Sequence, residues 1–227
     1  MGRKSSKYAE KVGSPTPQLV TKSANQDKLV KAINHHDIIL ASGPAGCGKT
    51  YVTAAMAAKF YTEGRVERIV ISRANVPTGR SLGHFPGTIK DKLTPWIMPT
   101  LEVLKKFLGT SYQYCIDTEV IQLQPLETIR GQSFENSFII IDEAQNLVQD
   151  EVISITTRIA ENSKLLLLGD PFQNDVKGLD GLTWFDQIIK KYNLDIPVVH
   201  FNLDDIVRHR IVKEILVALY KEFNVKN

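Results

Sequence analysis

Apolar positions along this chain recur in two rhythms, and the switches between them mark out the elements. From residue 25, where an asparagine can cap a helix, Leu29, Ala32 and Ile33 repeat at helical spacing. Residues 37–41 form a short apolar run that closes on a glycine, as a buried strand does. Val52, Ala55, Met56 and Phe60 return to the helical period over 49–63, and 68–72 is the next strand. Residues 74–88 hold two prolines and three glycines, which excludes a regular element. A helix is expected beyond them, with Trp96, Leu101, Leu104 and Leu108 on one side and bends at Pro95 and Pro99. Residues 120–123 read as a strand. Residues 137–141 and 164–168 are near-continuous apolar runs, the pattern of strands covered on both faces. A helix over 149–160 separates those two. A helix over 181–191 and a strand over 198–201 follow, and a helix over 208–223 closes the chain with Ile211, Ile215, Leu216 and Leu219 inward. The alternation predicts one α/β domain over 25–227, with a mostly parallel sheet and helices on both faces. No segment repeats. Residues 1–24, rich in Lys, Ser, Thr and Pro and without period, read as a flexible basic arm.

Composition narrows the class. Of 227 residues, 43% are hydrophobic and 23% charged, enough to bury a core and too apolar for wholesale disorder. Two cysteines, Cys47 and Cys115, make no disulfide framework and suit a reducing compartment. No apolar run approaches the roughly 20 residues that span a bilayer, and the N-terminus has no apolar signal core. A soluble, cytoplasmic protein is expected, with no membrane partner. The first 24 residues carry five basic side chains against Glu10, whereas the rest of the chain is nearly balanced. Within that body, residues 65–106 hold eight basic groups, Arg73, Arg80, Lys90 and Lys92 among them, against Glu67, Asp91 and Glu102. This stretch is a candidate nucleic-acid surface, with His84, Phe85 and Trp96 available for stacking. A solvated charged face, with Trp96 in the core, is the plainer alternative.

Three segments carry chemistry. Gly43, Pro44, Ala45, Gly46, Cys47, Gly48, Lys49 and Thr50 fit the pattern Gly-x-x-x-x-Gly-Lys-Thr between a predicted strand and a predicted helix, the context of a phosphate loop. Its backbone N–H groups would turn inward around a polyphosphate, Lys49 would reach the β- and γ-phosphates, and the Thr50 hydroxyl would ligate Mg²⁺. Tyr51, next in sequence, is grouped with the nucleotide contacts. Further on, the apolar run at 139–141 ends in Asp142 and Glu143. Asp142 would hold the Mg²⁺ through water, and Glu143 would act as general base on the attacking water. The run at 165–168 leads into Gly169, Asp170, Pro171, Phe172 and Gln173, where Gln173 would sense the γ-phosphate or orient water. A strand that simply ends in a turn is the alternative there. No His or Cys spacing suggests a zinc site.

With GPAGCGKT, FIIIDEAQN, LLLLGDPFQND and DDIVRHRIV in place, the chain resembles the PhoH-like ATPases, relatives of the superfamily 1 helicase core. The likeness runs from about residue 17 to 223. Ser72-Arg73 with Leu82-Gly83 and Pro86-Gly87, and Pro125-Leu126 with Arg130-Gly131, extend it. Departures are Gln132, where the family commonly has a second arginine, and Pro77 and Arg80, where an acidic pair is frequent. The resemblance implies a RecA-like P-loop domain that binds and hydrolyses ATP. It implies that Gln26 reads the adenine edge and that Arg208 is an arginine finger, although Arg208 at the last helix also suits a cap or salt bridge. Helicases supply that finger from a second core domain, so a neighbouring subunit is expected here, in a homo-oligomeric ring such as a hexamer. On this reading no residues remain for the nuclease or RNA-binding domain of some relatives. The implied role is a nucleic-acid-associated ATPase, a helicase or translocase on single strands, RNA favoured over DNA. The alternative is a nucleotide-switched assembly or docking module that moves no strand. A small-molecule kinase fits less well, because Glu143 primes water.

Overall fold

A computed structural model describes residues 17–74, 89–129, 131–175 and 178–226, the side chains of 89–92 and 223–226 excepted. Six strands, β1 (Ile38–Ser42), β2 (Arg68–Arg73), β3 (Ile121–Leu123), β4 (Ser137–Asp142), β5 (Lys164–Gly169) and β6 (Val198–His200), form one sheet in the order β3-β2-β4-β5-β1-β6. All its pairings are parallel. The apolar runs alternate between two cores. Ile39, Ala41, Ile69, Ile140 and Leu166 belong to one, and Leu40, Val70, Ile139, Leu165 and Leu167 to the other. Continuous apolar runs are what such strands need, because neither face meets water.

The first core is closed by helices α1 (Ala24–His35), α2 (Lys49–Thr62), α3 (Ile89–Leu108) and α4 (Ser111–Asp117). The second is closed by α5 (Leu126–Ile129), α6 (Gln149–Thr156) and α7 (Gly181–Tyr192). The chain moves outward from β1 to β2 and β3, then returns through β4 and β5 to β6 beyond β1. Right-handed crossovers in opposite directions place helices on opposite faces. Next to β1 the order reverses, and the carboxyl ends of β1, β5 and β4 lie side by side, where open parallel sheets bind ligands. Helix α2 is buried nearly all round, from Val52 to Ala58 and at Phe60. Its alanines let it sit between the sheet, α1 and α3.

The structure corrects several expectations. The cap of α1 is Ser23, whose hydroxyl accepts the Gln26 N–H, while the Asn25 side chain donates to Asp205 Oδ2 at 2.7 Å. Helix α3 runs through Pro95 and Pro99 as one helix, burying Leu93, Ile97, Leu101, Leu104 and Leu108. Trp96 is 42% exposed, outside that stripe and not in the core. The helix expected to reach 160 ends at Thr156, and Ile159 forms a parallel bridge with Phe134 instead. Helices α4 and α5 lack an apolar period long enough to announce them. In the closing helix α8 (Arg210–Lys226), Ile211, Ile215 and Leu219 are exposed rather than inward, Leu216 is half-buried, and the buried side chain among those described is Tyr220. Most of the arm (1–16) and of the 74–88 stretch falls outside the described residues. Among those described, no helix is long and apolar enough to cross a membrane.

Candidate active site

The loop after β1, the turn after β4 and the turn after β5 meet around a cavity of about 740 Å³. Its floor is the 43–50 loop. Gly48 takes a left-handed conformation (φ +86°) as the N-cap of α2, and Gly46 another (φ +81°). Any Cβ at Gly48 would stand 2.6 Å from Gln26 Nε2, and any Cβ at Gly46 would stand 2.8 Å from Arg208 Cγ. Glycine is thus required at both for conformation and for room. Buried Lys49 donates through Nζ to the carbonyls of Gly43 (2.6 Å) and Pro44 (2.9 Å), which holds the ammonium in the loop. The buried Cys47 thiol donates to Pro44 O at 3.0 Å, and burial pushes its pKa up. Gly43, Pro44 and Cys47 support the loop from beneath, while Ala45, Gly46, Gly48, Lys49, Thr50 and Tyr51 line the cavity.

Across the cavity, Thr50 Oγ1 lies 3.3 and 3.5 Å from the two carboxylate oxygens of Asp142. Burial and the neighbouring Glu143 carboxylate raise the Asp142 pKa, against the opposing influence of Arg73, the Glu143 N–H and Lys49. Two hard oxygen donors at this separation fit Mg²⁺, which takes few protein ligands and completes its shell from phosphates and water. Among the described residues no cluster of three His, Cys, Asp or Glu side chains offers an all-protein metal cage. Glu143 has a left-handed backbone (φ 54°) that turns it away from the line of β4. Arg73 Nη2 donates to its Oε1 at 2.9 Å, and Gln145 Nε2 donates to its Oε2 at 2.6 Å. The register that pairs Arg73 with Asp142 on adjacent strands makes the first contact, and Arg73 Nη1 is anchored on Trp96 O at 2.8 Å.

Buried Gln145 links the two turns. Beyond Glu143 it accepts the Asp170 N–H (3.0 Å) and donates to Gln173 O (3.3 Å). The Gln173 side chain donates to Asp170 Oδ2 at 2.8 Å, and Tyr220 OH donates to the same oxygen. Gln26 Nε2 donates to Cys47 O (2.9 Å) and its Oε1 accepts the Lys22 N–H (2.8 Å), so its amide braces the loop. Tyr51 packs edge-on against Phe107, and its hydroxyl accepts from Lys106 Nζ at 2.8 Å. Arg208 lies along Gly46 of its own loop, tied there by the Val207 N–H to Gly46 O bond at 2.9 Å. It lines the cavity of its own chain.

Several basic groups of this stretch have partners within the chain or line the cavity. Arg65 sits over the Phe60 ring, Arg68 donates to Glu135 O, Arg73 is committed to Glu143, and Lys106 lines the cavity. Arg73, one of the four residues named for nucleic acid, is paired with the Glu143 carboxylate inside the site. Arg80, His84, Phe85 and Arg130 lie outside the described residues, as do the side chains of Lys90 and Lys92. Sequence reasoning missed Gln145 and Asp170, although both stand within the quoted motifs. It also missed Tyr220, which has no local signal.

A family model described as PhoH-like protein matches residues 18–220. A PhoH-like protein of Bacillus subtilis (strain 168) is 31% identical over 204 residues, covering 88% of this chain and 64% of that protein. Protein PhoH of Escherichia coli (strain K12) is 33% identical over 210 residues, covering 89% and 58%. The chain thus spans about three-fifths of the length of these relatives. The large terminase of a thermophilic bacteriophage, solved in complex with ADP, is similar over 85% of this chain and 48% of that one, at 14% identity and a TM-score of 0.49. The chain belongs to the PhoH-like family.

Proposed function

For a PhoH-like chain with this site, we propose magnesium-dependent binding and hydrolysis of ATP. The observation that carries the reading is the convergence of Lys49 and Thr50 with the Asp142–Glu143 pair across one intervening strand. The loop amides and Lys49 hold the phosphates, and Thr50 and Asp142 hold Mg²⁺, which when bound neutralises phosphate charge. Each Glu143 oxygen accepts one hydrogen bond from the protein and keeps a lone pair for a water proton. Glu143 is the general base, held in place by Arg73 and Gln145. Gln173 faces the terminal phosphate. Arg208, beside Gly46, supplies positive charge where it builds in the transition state. Glu143→Gln should bind a fluorescent ATP analogue within a few-fold of the parent while phosphate release falls about 10²–10⁴-fold. Turnover at the parental rate would refute the assignment.

The proposed role is that of a homo-oligomeric, nucleic-acid-associated ATPase acting on single strands, RNA favoured. The dispersal of Arg65, Arg68 and Arg73 to separate internal partners favours the second reading, in which the nucleotide governs docking and moves no strand. ATPase rates with and without single-stranded RNA or DNA separate the two. Stimulation with salt-sensitive binding supports the first, and its absence supports the second.

A further inference from the structure

On the reading above, the terminal phosphate faces Glu143, Gln173 and Arg208, so the base of a bound nucleotide lies at the other end of the cavity. That end is walled by Val20 and Gln26, by Tyr51 of α2, and by Pro99, Val103 and Lys106 of α3. The last three are spaced by four and then three positions, which puts them on one helical face. Gln26 is 4% exposed and its amide is bonded at both ends, Nε2 to Cys47 O and Oε1 to the Lys22 N–H. An acceptor on one side and a donor on the other fix its orientation, so it cannot turn to suit a base. Gln18 also lines this end, but an exposed carboxamide can present either its oxygen or its nitrogen and selects neither purine.

Charge is divided between the two ends. Among the described residues, the carboxylates that line the cavity, Asp142, Glu143 and Asp170, stand at the ends of β4 and β5, whereas Lys22 and Lys106 at the base end are both cations. Lys106 is held in place by an aromatic pair. Its Nζ donates to the Tyr51 hydroxyl at 2.8 Å, and the Tyr51 ring is fixed edge-on against buried Phe107, with centroids 5.8 Å apart. An ammonium carries three N–H groups and no acceptor, so this bond does not exhaust it. Guanine offers such a group two acceptors, O6 and N7, whereas adenine puts an amino donor in place of O6. We propose that Lys106 reads the edge of the base and admits guanine, so that the site takes GTP at least as well as ATP. The proposal rests on the ATP reading and widens its substrate class to purine nucleoside triphosphates.

ATP, GTP and ITP are each made to compete with a fluorescent ATP analogue for the parent, Lys106→Met and Lys106→Arg. The parent should bind GTP as tightly as ATP or more tightly. ITP, which shares O6 and N7 with GTP but lacks the 2-amino group, should follow GTP. Lys106→Met keeps a stem of similar length and removes the ammonium; the preference for GTP over ATP should fall about 10-fold, the loss of one hydrogen bond from a charged donor. Losing a positive charge weakens all triphosphates alike, so a merely electrostatic or structural role would leave that ratio where it was. Lys106→Arg, which keeps charge and donors, should restore it. A ratio that Lys106→Met does not move overturns the proposal. So does a parent that binds ATP but takes GTP more than about 10-fold more weakly, and that result needs no variant and leaves the ATP reading standing. A parent that binds no triphosphate refutes the ATP reading itself, and the proposal with it.

Discussion

Gly48→Ala concentrates two costs at one new atom. The backbone there is left-handed, which costs an alanine about 1–2 kcal/mol. The added Cβ would stand 2.6 Å from Gln26 Nε2, well inside the 3.4 Å at which ordinary contact begins, so that amide must retreat. It has nowhere easy to go. Gln26 is 4% exposed, with Nε2 on Cys47 O and Oε1 on the Lys22 N–H. Breaking either bond strands a buried polar group, at about 1–3 kcal/mol. Together the substitution should cost about 2–5 kcal/mol, or roughly 5–15 °C in Tm for a domain of this size. Thermal unfolding followed by circular dichroism reads this directly. The decisive comparison is a double-mutant cycle. Gln26→Ala removes the obstacle, so the double variant should be more stable than the two single losses predict, by about 1–2 kcal/mol. Strict additivity, or a Gly48→Ala protein melting with its parent, would show that the Gln26–loop contact does not constrain position 48.

Other substitutions test the remaining contacts. Arg73→Ala leaves Glu143 held by Gln145 alone; kcat should fall about 10–100-fold with KM for ATP changed only a few-fold, and an undiminished kcat would remove Arg73 from the positioning of the base. Arg208→Ala and Lys49→Ala should each be inactive, and mixing them should restore nothing if Arg208 acts where it lies, along the loop of its own chain; recovery in a mixed oligomer would mean that it acts between subunits. Burial works to raise the Asp205 carboxyl, but hydrogen bonds from Ser23, the Asn202 N–H and Asn25 outweigh it and hold the pKa below its ordinary value. The stability it lends is therefore present above the unfolded carboxylate pKa and lost as pH falls through the lower folded value. Urea midpoints measured from neutral pH down to about pH 3 should fall more gently for Asp205→Asn than for the parent, and parallel acid limbs would contradict the assignment.

The phosphate loop is legible because its chemistry is local: eight consecutive residues supply the turn, the amides, the lysine and the threonine. The central strands are legible because a strand covered on both faces has to be apolar throughout, as 137–141 and 164–168 are. Periodicity reports which side of a helix is apolar, however, and not whether anything covers it. Hence the period alone points Ile211, Ile215 and Leu219 of α8 inward and Trp96 into the core, and all four are exposed. Charge is equally silent about its partner. Arg73 looks like one of eight free cations until the pairing of β2 with β4 sets it beside Glu143, 70 positions away. Arg208 on Gly46, Gln26 on Cys47 and Tyr220 on Asp170 are likewise joined only by the folded sheet and its turns. Sequence alone singled out the glycine-rich loop and the acidic pair as candidates for the chemistry. The tertiary structure decided which of them touch, because contacts between distant segments depend on strand order and register, which no local pattern encodes.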